Sequence, residues 1–130
     1  ADVVLDGSDN FATRFMVNQA CVSHKVPLVS GAAIRMEGQV AVFMNNSPDS
    51  PCYHCLYKEE GEEDIRCSET GVLAPVVGII GSLQATEAIK ILAKVPYESM
   101  GWVLVMDALQ QDWRKLKLAK DPACPVCQAK

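Results

Sequence analysis

Two Cys-x-x-Cys pairs constrain the fold of this chain more than any other feature of its sequence. Cys52 and Cys55 form the first pair, and Cys124 and Cys127 form the second. Two cysteines at this spacing can turn both thiols toward one ion, and two such pairs supply the four ligands of a tetrahedral structural zinc. The gap between the pairs is far longer than the roughly 15 to 20 residues of a zinc ribbon. We therefore predict a zinc clasp that joins the end of the chain to its middle.

Other uses of these cysteines remain open from the residues alone. The two pairs are also compatible with separate redox-active dithiols or with disulfides. His54 lies inside the first pair and is a candidate ligand, but four thiols leave it a bystander. Six cysteines suggest a secreted disulfide scaffold, yet no signal peptide is visible and the paired spacing suits a metal. We expect a reducing, cytoplasmic location.

The composition excludes several classes of partner. The 130 residues are 49% hydrophobic, which favours one globular domain over residues 1–130. A net charge of -4 argues against nucleic acid or an anionic membrane surface as the main partner, since either needs a basic face. The most apolar run, Gly71 to Ala85, is shorter than the roughly 20 residues of a membrane span. We predict neither nucleic-acid binding nor a membrane segment.

The first strand and helix place polar side chains where α/β proteins bind ligands. Val3 to Leu5 has the pattern of a buried strand, and Phe11 to His24 that of a helix capped by Asp9 or Asn10. Ligands bind at the carboxyl ends of strands in open α/β sheets. Asp9 is therefore a candidate for holding Mg²⁺ on nucleotide phosphates, the alternative being a role confined to the helix start.

The remaining pattern predicts a mixed sheet. A second strand follows the first helix and continues the parallel sheet, a hairpin with its turn at Glu37-Gly38 then makes it antiparallel, and a long helix precedes two more strands. The long helix has small residues on one side and large apolar residues on another, so we expect it to be buried almost all round. The predicted segments are strands 26–30, 33–36 and 39–43, helix 74–94, and strands 101–108 and 112–118.

Several motifs in this order resemble the carboxy-terminal half of the E1-like adenylyltransferases, the ThiF/MoeB family. The resemblance covers nearly the whole chain and implies an α/β fold: an incomplete Rossmann-like (E1-like) domain with a mixed parallel/antiparallel sheet, flanking helices and a four-cysteine zinc site. The matching stretches are 2–10 with Arg14, 30–39, the two cysteine pairs and 78–90.

The resemblance implies an enzyme of molybdopterin or thiamine biosynthesis. Such enzymes use Mg²⁺ and ATP to adenylate the C-terminal glycine of a ubiquitin-like sulfur-carrier protein and release pyrophosphate. It further implies a homodimer in the cytoplasm, and the charged segment 57–70 is expected to be the family's mobile crossover loop.

The resemblance also implies roles for individual residues. Asp9 matches the family's magnesium and ATP aspartate, with Asn10 and Arg14 as further nucleotide-binding positions. Cys52, Cys55, Cys124 and Cys127 match the structural zinc ligands. Cys67 matches a thiol that links covalently to the activated carrier in some members and is dispensable in others.

The chain departs from the family pattern at its start. The family's glycine-rich phosphate loop, its other nucleotide-contacting basic residues and its ribose-binding acid would precede Ala1, and no G-x-G-x-x-G occurs here. We therefore predict that the isolated chain is inactive. Two rival hypotheses are a non-catalytic zinc-stabilised module that docks a ubiquitin-like partner, and a dithiol oxidoreductase without metal.

Overall fold

A mixed sheet of five strands forms the centre of the computed structural model, which describes residues 1–57, 71–97 and 101–127. The strands lie side by side in chain order. β1 and β2 are parallel, and each later pair is antiparallel. The predicted change from parallel to antiparallel pairing is confirmed. The strands are β1 Val4–Asp6, β2 Leu28–Ile34, β3 Glu37–Phe43, β4 Gly101–Asp107 and β5 Asp112–Lys117.

Three helices flank this sheet in the described part of the chain: α1 Phe11–His24, α2 Tyr53–Leu56 and α3 Ala74–Leu92. Helix α1 begins at Asn10, whose Oδ1 accepts a hydrogen bond from the backbone N–H of Thr13 at 2.8 Å. It ends at Lys25, which has a left-handed backbone (φ 55°). A polar cap and a left-handed stop are the usual devices for closing the two ends of a helix. α1 therefore starts directly after the turn that carries Asp9.

Alternating side chains build one apolar core on each face of the sheet. In β2, Leu28 points to the α1 side and Val29 to the α3 side, as successive strand residues must. The core on the α1 side consists of Phe15, Cys21, Leu28, Ala41, Phe43, Tyr53 and Val103. The core on the α3 side consists of Val29, Val40, Val42, Val76, Ile80, Trp102 and Met106. The sheet is thus the middle layer of three.

The hairpin differs from its predicted form. β2 runs without interruption to Ile34, and the turn falls at Arg35 and Met36, where Arg35 has φ 54°. The turn predicted at Glu37-Gly38 is wrong, because both residues lie inside β3. A Cβ at position 38 would come within 2.6 Å of Ile80 Cγ1. Gly38 is therefore explained by the close packing of α3 on the strand.

Only one side of α3 is buried by the described residues. Val76, Ile80 and Gln84 face the sheet, whereas Gly78, Gly81, Ser82 and Ala85 are exposed. The prediction of burial almost all round is wrong for this part of the chain, since the small-residue side has no described partner. The helix is long and apolar enough to cross a membrane (mean hydropathy 1.3), a property that core helices of soluble proteins share.

Candidate functional site

A cleft of about 550 Å³ opens at the carboxyl ends of β1 and β2. The turn after β1 forms one side, and the β2–β3 hairpin and the first half of α3 form others. This is the edge of an α/β sheet at which ligands usually bind. Its polar and charged lining residues are Ser8, Asp9, Asn10, Arg14, Glu37, Gln39 and Gln84, together with Tyr53 and Tyr57.

Asp9 is the carboxylate that the turn after β1 presents to this cleft. Its side chain is exposed and accepts a hydrogen bond from Asn10 Nδ2 at 3.4 Å. The amide oxygen of Asn10 is already used to cap α1. Carboxylate oxygens are ligands that Mg²⁺ accepts. Asp9 can therefore take a hard cation, whereas Asn10 acts here through its contacts with Asp9 and the helix.

Arg14 lies under the turn rather than projecting freely into the cleft. It is buried, with Nη1 donating to Ser30 Oγ at 3.1 Å and Nη2 donating to the Gly31 carbonyl at 2.9 Å and to the Ser8 carbonyl. Hydrogen bonds from a charged donor to buried carbonyls are among the stronger ones in proteins. Arg14 therefore ties the Asp9 turn to the end of β2.

Gln84 of α3 fixes the same two strands from the opposite face. Its Nε2 donates to the carbonyl of Asp6 at 3.0 Å and to that of Val29 at 3.2 Å. A Cβ at position 31 would collide with the Gln84 amide, so any larger residue there would force this amide to move. The floor of the cleft is thus held by two buried side chains, Arg14 and Gln84.

An aromatic group connects one wall of the cleft to the first cysteine pair. The rings of Phe11 and Tyr57 are 5.7 Å apart, and those of Tyr57 and Tyr53 are 5.1 Å apart. Gln39 Nε2 also donates to the Tyr57 hydroxyl. Tyr53 and Tyr57 flank Cys55 in and after helix α2, so the fold around the cysteines sets the position of this wall.

The four predicted metal ligands lie together. The sulfurs of Cys52, Cys55, Cys124 and Cys127 are all within 4.8 Å of one another. Cys52 and Cys124 sulfurs are 3.7 Å apart, and Cys55 and Cys127 sulfurs are 3.5 Å apart. Tetrahedral zinc with bonds of about 2.3 Å places its sulfurs about 3.8 Å apart. The spacing fits such an ion, and His54 instead packs its ring on Phe15 at 5.3 Å.

The thiols of this cluster have perturbed acidities. The hydrogen bond from the Cys52 thiol, followed by backbone N–H groups, lowers the pKa of Cys55. The same hydrogen bond and burial raise the pKa of Cys52, and burial raises the pKa of Cys127 to about 12. Burial and hydrogen bonds therefore disfavour ionisation of Cys52 and Cys127, and the charge of neighbouring thiolates adds to this penalty. A divalent cation removes this penalty, so the donor set suits a metal.

The structure brings most of the predicted site residues to these two places. Asp9, Asn10 and Arg14 line the cleft, and the four cysteines form the cluster. Cys67 and residues 58–70 of the predicted crossover loop lie outside the described residues, so those two predictions remain predictions. Sequence analysis missed Asn18 and Gln84. Their signal was an amide at a position that the helix pattern assigns to the buried face.

The family follows from comparison with known proteins. The ThiF family profile matches residues 1–126. The chain belongs to the ThiF family. This confirms the resemblance seen in the sequence motifs.

Several curated ThiF relatives are similar over nearly the whole chain. Molybdopterin-synthase adenylyltransferase of Escherichia coli is 50% identical over 97% of this chain and 50% of the relative. Sulfur carrier protein ThiS adenylyltransferase of E. coli is 41% identical over 98% of this chain and 50% of the relative. Adenylyltransferase and sulfurtransferase MOCS3 of Caenorhabditis briggsae is 44% identical over 97% of this chain and 32% of the relative. The chain therefore spans half or less of these relatives.

Solved structures confirm the fold class of this ThiF chain. A crystal structure of E. coli MccB with ATP superposes with a TM-score of 0.76 at 20% identity, covering 98% of this chain and 40% of MccB. A heterocyclase in complex with substrate and cofactor gives a TM-score of 0.74 at 13% identity, covering 98% of this chain and 20% of the heterocyclase chain. At these identities the likeness concerns the fold. The predicted E1-like α/β fold is confirmed.

Proposed function

We propose that this chain forms part of an ATP-dependent adenylyltransferase that activates the C-terminal glycine of a ubiquitin-like sulfur-carrier protein. The observation that carries the proposal is the Asp9 carboxylate, presented to a cleft at the carboxyl end of β1 in a ThiF chain. Two relatives support the substrate class by their names, molybdopterin-synthase adenylyltransferase and sulfur carrier protein ThiS adenylyltransferase.

The proposed reaction is transfer of an adenylyl group to a carboxylate. A carboxylate oxygen of the carrier attacks the α-phosphorus of ATP, the bond from that phosphorus to the bridging oxygen breaks, and pyrophosphate leaves with the bonding electrons. Mg²⁺ held at Asp9 would neutralise phosphate charge during this step. Arg14 and Asn10 support Asp9 by fixing its turn. A cleft of about 550 Å³ is of the size that takes a nucleotide or a peptide end.

Carrier-dependent exchange of labelled pyrophosphate into ATP tests this proposal on the full-length gene product. We expect Asp9→Ala to lower the exchange rate about 100- to 1,000-fold, in the range seen when one electrostatic group of an active site is removed. The fold should persist, because Asp9 is exposed. Asp49→Ala, which removes an exposed carboxylate from the loop before the first cysteine pair, should leave exchange unchanged.

Exchange that survives Asp9→Ala would remove Asp9 from the mechanism and favour the rival docking module. The 130-residue chain by itself should show no exchange, because it contains no G-x-G-x-x-G phosphate loop. Cys67 is proposed as a thiol that attacks the carbonyl carbon of the carrier's acyl adenylate, so that a thioester forms and AMP leaves. Intact sulfur transfer after Cys67→Ala would contradict that role.

We further propose that the cysteine cluster holds structural Zn²⁺ and that the protein is cytoplasmic. The spacing of the four sulfurs supports zinc. The described cysteines form no disulfide with one another, which suits a reducing compartment.

We also propose a homodimer formed through the outer side of α3. The exposed residues of this helix between Ala74 and Ile89 include no charged side chain, and Val77, Ile79 and Ile89 are exposed apolar residues. Small residues such as Gly78 and Ser82 let a second helix approach closely. Ser82→Arg should convert a dimer to a monomer in sedimentation velocity. A wild-type full-length protein that is already monomeric would contradict the proposal.

A further inference from the structure

Asn18 connects helix α1 to the cysteine cluster through both ends of its side-chain amide. Its side chain is completely buried (0% exposed). Asn18 Oδ1 accepts a hydrogen bond from the backbone N–H of Tyr53 at 2.9 Å, and Asn18 Nδ2 donates to Cys52 Sγ at 3.6 Å. Cys52 and Tyr53 are consecutive residues. One amide therefore holds a predicted metal ligand and the residue that follows it.

The orientation of this amide follows from its partners. A backbone N–H can only donate, so the amide oxygen must face Tyr53 and the NH₂ group must face the sulfur of Cys52. A reversed amide would place two donors against each other at Tyr53. The N–H···S contact is thus required by the backbone that surrounds it.

Cys55 shows that the first pair receives N–H donors at both sulfurs. Cys55 Sγ accepts from the backbone N–H of Cys52 at 3.5 Å and from that of Asp121 at 3.4 Å. The donor at Cys52 is a side chain, so a substitution can remove it. An N–H group that faces sulfur fixes the direction of its lone pairs. Groups in this position around metal ligands orient them and tune the metal.

We propose that Asn18 is a positioning residue for the metal: it orients the sulfur of Cys52 as a ligand and seats the first cysteine pair on α1. The inference rests on the proposed four-cysteine site and is independent of the adenylation chemistry. A simpler role would be to satisfy the buried N–H of Tyr53, with no effect on the metal. The two roles differ in what they predict for the metal itself.

Zinc affinity measured by chelator competition gives the first test. We expect Asn18→Ala to weaken zinc binding about ten- to a hundredfold. Asn18→Asp keeps an acceptor for the Tyr53 N–H but loses the donor to Cys52, so this variant should also bind zinc more weakly. Gln19→Ala, which removes the exposed amide next to Asn18, is the control and should bind zinc as the wild type does.

Cobalt substitution separates the proposed role from a purely structural one. Loss of an N–H···S bond leaves more charge on sulfur, so the sulfur-to-cobalt charge-transfer band of Asn18→Ala should move to longer wavelength. Val22 packs against the same cysteines without donating to them. Val22→Ala should therefore lower the melting temperature and leave the band in place.

Unchanged zinc affinity and an unshifted cobalt band in the Asn18 variants would overturn this inference alone. A wild-type chain that binds no metal would overturn it together with the four-cysteine site. If the variants fail to fold, the wild-type protein loaded with ¹¹³Cd still provides a test. Scalar coupling between cadmium and an Asn18 side-chain proton is expected, and its absence would overturn the inference.

Discussion

The cysteine cluster and the cleft are held by the same helix but are built in opposite ways. The cluster consists of four cysteine side chains, three of them buried, and the sulfur atoms themselves are the candidate metal ligands. The cleft exposes two acidic side chains, Asp9 and Glu37. Asp9 lies on a turn that Arg14 and Gln84 fix through its backbone and that of β2. The cluster therefore depends on which side-chain atoms are present, whereas the cleft depends on where backbone atoms are held.

Helix α1 brings the two regions within one turn of each other. Arg14 and Asn18 are four residues apart and so lie on the same face of the helix. Arg14 bonds to the Asp9 turn, and Asn18 bonds to Cys52 and Tyr53. A substitution in the cleft should therefore also affect the cysteine cluster through α1, and the reverse. Measuring both regions in each variant shows how strongly they are coupled.

The largest effect is expected from removing a sulfur. Cys52→Ser should abolish zinc binding and the cooperative thermal unfolding transition, because a buried structural metal contributes folding free energy directly. Cys21→Ala is the matched control: Cys21 is also a buried cysteine but packs in the α1-side core, so its loss should cost about 1 kcal/mol. Metal analysis and calorimetry on both variants make the comparison. Retained zinc in Cys52→Ser would show that the cluster tolerates another ligand.

The next effect is expected at Arg14. Arg14→Lys keeps the positive charge but cannot reach all three oxygen acceptors, so the free energy of unfolding should fall by about 2–3 kcal/mol without nucleotide. Arg114→Lys changes an exposed arginine on β5 and should stay within about 0.5 kcal/mol of the wild type. Denaturant titration measures both. Equal stability of the two variants would mean that Arg14 does not support the turn.

A smaller effect is expected at Gly31. Gly31→Ala places a methyl group where the Gln84 amide lies, and overpacking of this kind costs about 1–3 kcal/mol. It should also reduce pyrophosphate exchange by the full-length protein, since the floor of the cleft must shift. No gain or loss of stability would show that Gln84 can move aside freely.

The smallest effect, with the opposite sign, is expected at Gly78. A Cβ at this exposed position meets nothing within 4 Å, so Gly78→Ala should stabilise α3 in the monomeric chain by about 0.5–1 kcal/mol. In a dimer that packs on this side, the same methyl group should weaken association. Stability measured at several protein concentrations separates the two effects.

Chemical identity at a fixed spacing is the strongest signal in this sequence. It predicts that the four cysteines lie together, as they do, and the strand before Asp9 predicts its place beside the cleft. The roles of these residues stay predictions. The hairpin turn is wrongly predicted at Glu37-Gly38 because this pair has the composition of a turn. The structure gives Gly38 another reason: a side chain there would collide with Ile80. Asn18 and Gln84 were missed because a helix pattern cannot show which backbone group will lie opposite a polar side chain.

The claim that both cysteine pairs serve one ion beside the cleft is tested most directly by X-ray absorption at the zinc edge of freshly purified, reduced protein. We expect one zinc per chain with four sulfur neighbours at about 2.3 Å. Protein without zinc, or zinc bound partly through nitrogen or oxygen, would contradict the four-thiolate cluster.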